Sequence, residues 1–241
     1  MRLLLLFMLL VGSVSGQRLA FNLGETFTFA TGFRLLTVGK TVMKIVDDGE
    51  FARPGQIHVL TRITTKPFYN RLYKINDRID LWLTEPDMEI KRIRRSINEG
   101  SYHLQDSSLV LPDSNLIHHR KGTLTTIGPV YDPMGAIYHF RTLPLKVGDV
   151  VKITIFDGKR LRPIAIKVQA VVRVKVGAGT YECLELVPSP LDDRPMTKVN
   201  GILSLWLSND DRRLPVKIEQ KTNFGTMILK LTGYDLADPV N

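Results

Sequence analysis

A single cysteine stands in 241 residues, so no intramolecular disulfide can form and the apolar core must hold the fold. Cys183 lies in the strand-like run TYECLELV, where a thiol packs as a small apolar side chain. No neighbouring base is present to activate it as a nucleophile. Histidine is nearly as scarce. His58, His103, His118, His119 and His139 form no pair at helical i, i+4 spacing. The adjacent His118 and His119 would face opposite sides of a strand, so no metal site is expected. Phosphate-loop chemistry is excluded as well. GFRLLTVGKT ends in Gly-Lys-Thr, but Gly32 stands too far ahead of Gly39, and the strand-like VMKIV follows where a helix is needed. GSVSG has its serine misplaced for a nucleophile elbow. The sequence implies no cofactor and no catalytic residue.

Long apolar runs are also missing, apart from Leu3 to Val11, which falls short of the roughly 20 residues a membrane-spanning helix requires. Arg2 precedes that run, and small residues lead from it to Gly16. This is the pattern of a secretory signal peptide cleaved after Gly16. No cysteine near that point would carry a lipid. The expectation is an exported, periplasmic domain comprising residues 17–241, with no transmembrane segment. The full chain carries a net charge of +9, from 33 Lys and Arg against 24 Asp and Glu, and without Arg2 residues 17–241 carry +8. Outside the cytoplasm, the anions available to such a protein are lipid head groups, lipopolysaccharide phosphates and acidic glycans, not nucleic acid. A simpler reading is that basic residues in runs such as MEIKRIRR and VVRVKV coat a solvated sheet face.

What the chain has in abundance is period-two alternation. In PIAIKVQAVVRVKV, Ile164, Ile166, Val168, Ala170, Val172, Val174 and Val176 share one face. Lys167, Gln169, Arg173 and Lys175 share the other, as in a strand with one wet side. ETFTFA, QIHVLTRIT and TMILKLTG repeat the pattern. Asp157-Gly158 marks a hairpin, and DDGE, NEGS and VGAGTY mark further turns. About a dozen strands follow from these signals. One segment breaks the alternation: Asp132 and Pro133 open a short helix ending near Thr142, ahead of Pro144. The fold class expected is mainly β, a strongly curved antiparallel sheet with one short central helix closing a mouth. The sheet would form an open barrel or two packed halves.

Two stretches share a plan. DLWLTEPDMEIKRIRR and SLWLSNDDRRLPVKIEQ each carry Leu-Trp-Leu, a hydroxyl residue, and an aspartate (Asp87, Asp211) five residues beyond the tryptophan. Both read as strand, polar turn, strand. One copy lies on each side of the helix, which suggests two related halves, residues 17–130 and 145–241, joined by helix 133–142. Trp82 and Trp206 are expected as core anchors, and Asp210-Asp211 and Asp192-Asp193 as solvated turns. Arg141 shares a helix face with Tyr138 and must either meet a carboxylate, with Asp132, Asp210 or Asp211 as candidates, or face a cavity and hold an anion.

The segments DPMGAIYHFRTLPLKVGD, VGAGTYECLELVP and LWLSNDDRRLPVKIE, followed by FGTMILKL, resemble the bacterial exported family called domain of unknown function 3108. Tyr138, Arg141, Pro144 and Leu145, with Trp206, Asp211, Arg213 and Pro215, carry the likeness most specifically. The chain departs from the family where SSLVLPDSN follows EGSYH and where Gly135 replaces a frequent serine. The resemblance implies an envelope location and a mostly β architecture, and no activity. More loosely, the expected fold is similar to the periplasmic carriers that shelter lipoprotein acyl chains. The leading functional expectation is a non-enzymatic binding or carrier protein for an amphipathic or anionic envelope molecule, with Tyr138, Arg141, Trp206 and Arg213 as ligand-binding residues. Second comes a structural or assembly factor acting through an envelope protein partner. A glycan or ester hydrolase with convergent carboxylates comes third.

Overall fold

The computed structural model describes residues 21–33, 36–47, 53–111, 115–189, 191, 203–222 and 225–237. The expected signal peptide, most of the DDGE turn and Asp192-Asp193 lie outside these residues. The first half of the sheet contains β1 (Thr26–Phe33), β2 (Leu36–Val46), β3 (Gln56–Thr65), β4 (Asn76–Thr84), β5 (Ile90–Glu99), β6 (Tyr102–Leu111), β7 (Leu116–His119) and β8 (Gly122–Thr125). After β9 (Val130–Tyr131) comes helix α1 (Gly135–Thr142). Then follow β10 (Val150–Phe156), β11 (Leu161–Val176), β12 (Gly179–Ser189), β13 (Leu203–Ser208), β14 (Pro215–Thr222) and β15 (Gly225–Asp235). A 3-10 turn at Pro67–Arg71, with no signal in the periodicity, joins β3 to β4.

All the strands belong to one sheet in the order β8-β7-β6-β5-β4-β3-β2-β1-β15-β14-β13-β12-β11-β10-β9. Each neighbour is antiparallel except β9 on β10. The architecture is mainly β, curved, and not closed into a barrel. Its two edges are the short strands β8 and β9, which offer little unpaired backbone. The first and last strands meet at the centre, with Phe29 opposite Leu231.

The alternating residues build one continuous core. Phe27, Phe29, Met43, Val59, Leu81, Leu83, Val168, Leu229 and Leu231 are all buried. Removing each such side chain from water contributes about 1.5–3 kcal/mol. The helix lies within the curve of the sheet, where Gly135, Ala136, Ile137, Tyr138, Phe140 and Arg141 are buried. Leu83 of β4 meets it on one flank, so close that a Cβ on Gly135 would stand 3.1 Å from the leucine Cδ2. Ile153, Ile164 and Leu205 line the other flank. Asp132 starts the helix as expected, its Oδ1 accepting the Met134 N–H at 2.8 Å. The helix also touches both tryptophan hairpins. His139 Nδ1 donates to the Asp87 carbonyl, and Arg141 Nε donates to the Arg213 carbonyl.

Candidate functional site

Polar side chains of β3–β7 line an open groove of about 1170 Å³, most of them on the face turned away from the core. A break in alternation creates it. Leu81 and Leu83 of β4 point inward, so Arg78, Asp80 and Trp82 point outward. The β4–β5 register slips between Trp82 and Leu83, pairing Trp82 with Arg92 and Leu83 with Ile90. That bulge lets both Ile90 and Ile93 reach the core while Arg92 and Arg94 stand outside beside Trp82. Of the lining residues on the outward face, Arg78, Arg92 and Arg94 stand with Asp80, while Arg95 and Asp106 reach the groove from the inward face.

The groove is organised around Trp82. His58 stacks on one side of the indole at 4.4 Å with planes 13° apart. The guanidinium carbons of Arg92 and Arg94 lie over the ring at 5.6 and 5.5 Å, which gives each a cation–π contact and limits its wandering. Asp80 is engaged beneath them. Its carboxylate accepts from His58 Nε2 at 2.9 Å and from Arg78 at 2.7 and 2.8 Å. Burial alone would raise the Asp80 pKa, but the His58 and Arg78 contacts overcome it and hold the group at about 2. A carboxylate so occupied neutralises Arg78, while Arg94 remains exposed along the groove.

The inward face of the same strands carries a second polar layer that fixes the groove to the helix start. Arg95 bonds Asp132 at 2.8 Å and lies 3.7 Å from Asp106. Gly158, whose positive φ of 91° requires glycine in the β10–β11 turn, lies against the Arg95 guanidinium, 2.4 Å from where a Cβ would stand. Asp106 Oδ1 and Ser108 Oγ are buried without a hydrogen-bond partner.

The residues singled out from sequence fall elsewhere. Arg141 forms a buried, two-pronged ion pair with Glu25 at 2.7 and 2.8 Å. None of Asp132, Asp210 or Asp211 is its partner. Asp132 is taken by Arg95 and Asp210 by Arg212, whereas β1 brings Glu25 beneath the helix. Phe21, Phe27 and Tyr138 surround the guanidinium at 5.0, 4.8 and 5.4 Å. Tyr138 is fully buried, its ionisation strongly opposed by burial. Arg213 joins the cluster through its carbonyl, in a left-handed conformation with φ 47°. Tyr138, Arg141 and Arg213 thus meet in a buried knot between helix, β1 and the β13–β14 turn. Trp206 does not join them. Like Trp82 it is buried, here beneath Lys217 at 4.0 Å; it packs with the hydrophobic core as expected, whereas Trp82 lines the groove instead.

Beneath the helix the space is filled. The cavity bounded by Ala136, Ile137, Phe140 and the β10, β11 and β13 side chains is about 20 Å³. Cys183 is buried, which pushes its thiol up to about 12 and makes it unreactive. Asp77 is raised to about 6, first by burial and then by Glu99, against the Asn98 N–H that bonds it. It lines none of the cavities described above. No cluster of metal-ligating side chains occurs among the described residues, and no helix there is long and apolar enough to cross a membrane.

The family model for the protein of unknown function called DUF3108 matches residues 26–232. The chain belongs to the DUF3108 family. The match takes in both tryptophan hairpins, the helix and every residue lining the groove. No match is found among curated proteins. Among solved structures, this DUF3108 chain is similar to a β-barrel-like protein of the DUF1849 family from Brucella abortus. The TM-score is 0.58 and the identity 10%, over 91% of this chain and 100% of the other. It is also matched to the hypothetical protein CT021 from Chlamydia trachomatis, at TM-score 0.38 and 11% identity over 91% and 92% of the chains. A Bacteroides fragilis protein of YmcC-like fold matches at 0.38 and 12% over 90% and 98%. The first of these likenesses supports the fold and says nothing of activity.

Sequence reasoning missed His58, Arg78, Asp80, Arg92 and Arg94 as a group. One signal was available: Ile90 and Ile93 are three apart in EIKRIRR, a spacing that no regular strand places on one face and that marks a bulge.

Proposed function

We propose that this DUF3108 protein is a non-enzymatic, exported binding protein for an anionic envelope molecule, held in the outward groove of β3–β7. The fitting ligand bears phosphate, sulfate or carboxylate groups on a soluble polar scaffold such as a glycan. The observation that carries this reading is the pair Arg92 and Arg94, held across Trp82 over an open groove of about 1170 Å³. Arginine is suited to the task because its planar fork meets an oxyanion with two parallel hydrogen bonds. The small volume beneath the helix favours a ligand on the outer face over one enclosed by the sheet. The leader-like N-terminus and basic balance accord with an exported, periplasmic setting.

The test is calorimetric titration with heparin oligosaccharides and a phosphorylated disaccharide, using the neutral disaccharide as control. Binding should be confined to the charged probes and weaken as salt rises. The double variant Arg92→Ala, Arg94→Ala should lose at least about tenfold in affinity while unfolding at nearly the wild-type temperature. Equal affinity for the neutral sugar, or an unaffected double variant, would overturn the assignment.

A further inference from the structure

A second surface is independent of the groove. The connection between β3 and β4 runs Lys-Pro-Phe-Tyr-Asn-Arg-Leu-Tyr-Lys from Lys66 to Lys74, with three basic residues and no acidic one. It holds the most exposed large apolar side chains of its end of the sheet: Phe68 and Leu72 are 79% and 81% exposed, and Tyr73 is 49% exposed. Single exposed apolar residues are ordinary on protein surfaces. Three within six residues, on a segment with no buried residue in its 3-10 turn, form a patch that needs an explanation.

The segment is held in place, so the exposure is built in. Lys66 N–H donates to the Val38 carbonyl, Leu72 and Tyr73 N–H both donate to Tyr69, and Gly100 N–H donates to Lys74. Tyr73 lies against Gly100, where an added Cβ would stand 2.8 Å from its ring. The pairings of β1 with β2 and of β5 with β6 bring Leu36 and Tyr102, 54% and 52% exposed, to the same end of the sheet. The result is a rim where aromatic and aliphatic side chains project between Lys66, Arg71 and Lys74.

We propose that this rim docks the protein onto an anionic phospholipid surface, with Phe68, Leu72 and Tyr73 entering the interface and Lys66, Arg71 and Lys74 facing the lipid phosphates. Charge complementarity selects this occupant. A protein partner of ordinary composition would not call for three cations around an apolar tip with no acidic residue in the segment, whereas an acidic leaflet attracts each of them. Apolar insertion with a basic surround is the physical pattern of reversible interfacial binding, and tyrosine is well placed with its ring in the boundary and its hydroxyl in water.

The test is co-sedimentation of the protein with vesicles of phosphatidylglycerol mixed with phosphatidylcholine, and with vesicles of phosphatidylcholine alone. Binding is expected only to the first and is expected to fall with salt. Phe68→Ala with Leu72→Ala should weaken it at least about tenfold, and Lys66→Ser with Arg71→Ser and Lys74→Ser should do likewise. Thermal unfolding should be unchanged in both variants, since these side chains are exposed. The groove variant Arg92→Ala, Arg94→Ala should sediment as wild type, which separates this proposal from the ligand-binding one. Absence of vesicle binding, equal binding to neutral vesicles, or wild-type binding by the Phe68, Leu72 variant would overturn the proposal. So would concentration-dependent self-association abolished by that variant, because it would assign the rim to a second copy of the chain.

Discussion

The β4–β5 and β13–β14 hairpins share a local plan and do different work. In each, a Leu-Trp-Leu strand carries its tryptophan opposite its two leucines, and the register slips immediately after it. Each turn closes with one matching hydrogen bond at 2.9 Å, Thr84 N–H to Glu89 and Ser208 N–H to Leu214. Each has a left-handed residue just before the second strand, Met88 with φ 59° and Arg213 with φ 47°. Cations cover both indoles, and the helix donates to a turn carbonyl in each. The surroundings set them apart. Trp82 is flanked by His58, Arg92 and Arg94 at a basic groove. Lys217 over Trp206 is paired with Glu219 at 2.6 Å, and the turn beyond it is tied up by Ser208, Asp210, Arg212 and Tyr234. Local sequence specifies the hairpin, and its neighbours decide whether it lies at an open groove or against a closed turn.

The comparison can be broken most severely at the helix. Arg141→Ala leaves Glu25 buried without its partner and should destabilise the protein by about 3–5 kcal/mol in urea unfolding. The double change Arg141→Met, Glu25→Leu should recover much of the loss. The corresponding contact in the other hairpin, His139 to the Asp87 carbonyl, involves no buried charge pair. His139→Ala should therefore cost much less, about 1 kcal/mol.

Replacing each tryptophan by alanine sharpens the contrast. Both are buried, so both changes should cost about 3–5 kcal/mol. Only Trp82→Ala should also weaken the binding of heparin oligosaccharides, because only Trp82 positions arginines at a groove. Equal losses of binding in the two variants would remove the functional distinction between the hairpins.

A smaller effect depends on pH. Two residues before each tryptophan stand Asp80 and Ser204. The Asp80 pKa is lowered from 3.8 to about 2 in the folded protein, so the unfolded chain binds the proton more tightly. The resulting stabilisation is fully present above the unfolded value and disappears as pH falls through 3.8 toward 2. Asp80→Ser, which makes the first hairpin like the second, should remove about 1–2 kcal/mol at pH 6 and almost nothing near pH 2. Urea unfolding of both proteins at the two pH values measures this difference.

Much of this fold was legible in the sequence because its signals are local. The alternation around Phe27 and Phe29, the sixteen-residue strand β11, the Asp157-Gly158 turn and the Asp132-Pro133 helix start all express steric or hydrogen-bonding preferences within a few residues. The tryptophan repeat was legible for the same reason. What escaped depends on distant pairing. Glu25 and Arg141 are 116 positions apart, and only the docking of the helix beneath β1 joins them. The groove required the bulge between Trp82 and Leu83, which reverses the faces that a regular strand would assign to Ile90 and Arg92. The helix was readable as a helix, but its place inside the sheet depended on the curvature of many strands together.

Trp82 and Trp206 are the two tryptophans of the chain, so Trp206→Phe leaves an indole only in the groove. Its fluorescence during titration with heparin oligosaccharides measures occupation of the groove directly. A saturable change in emission, abolished by adding Arg92→Ala and Arg94→Ala to the same protein, is the outcome expected of an anion held over Trp82. An emission that stays flat while calorimetry still detects binding would place the anion elsewhere on the molecule and end the claim.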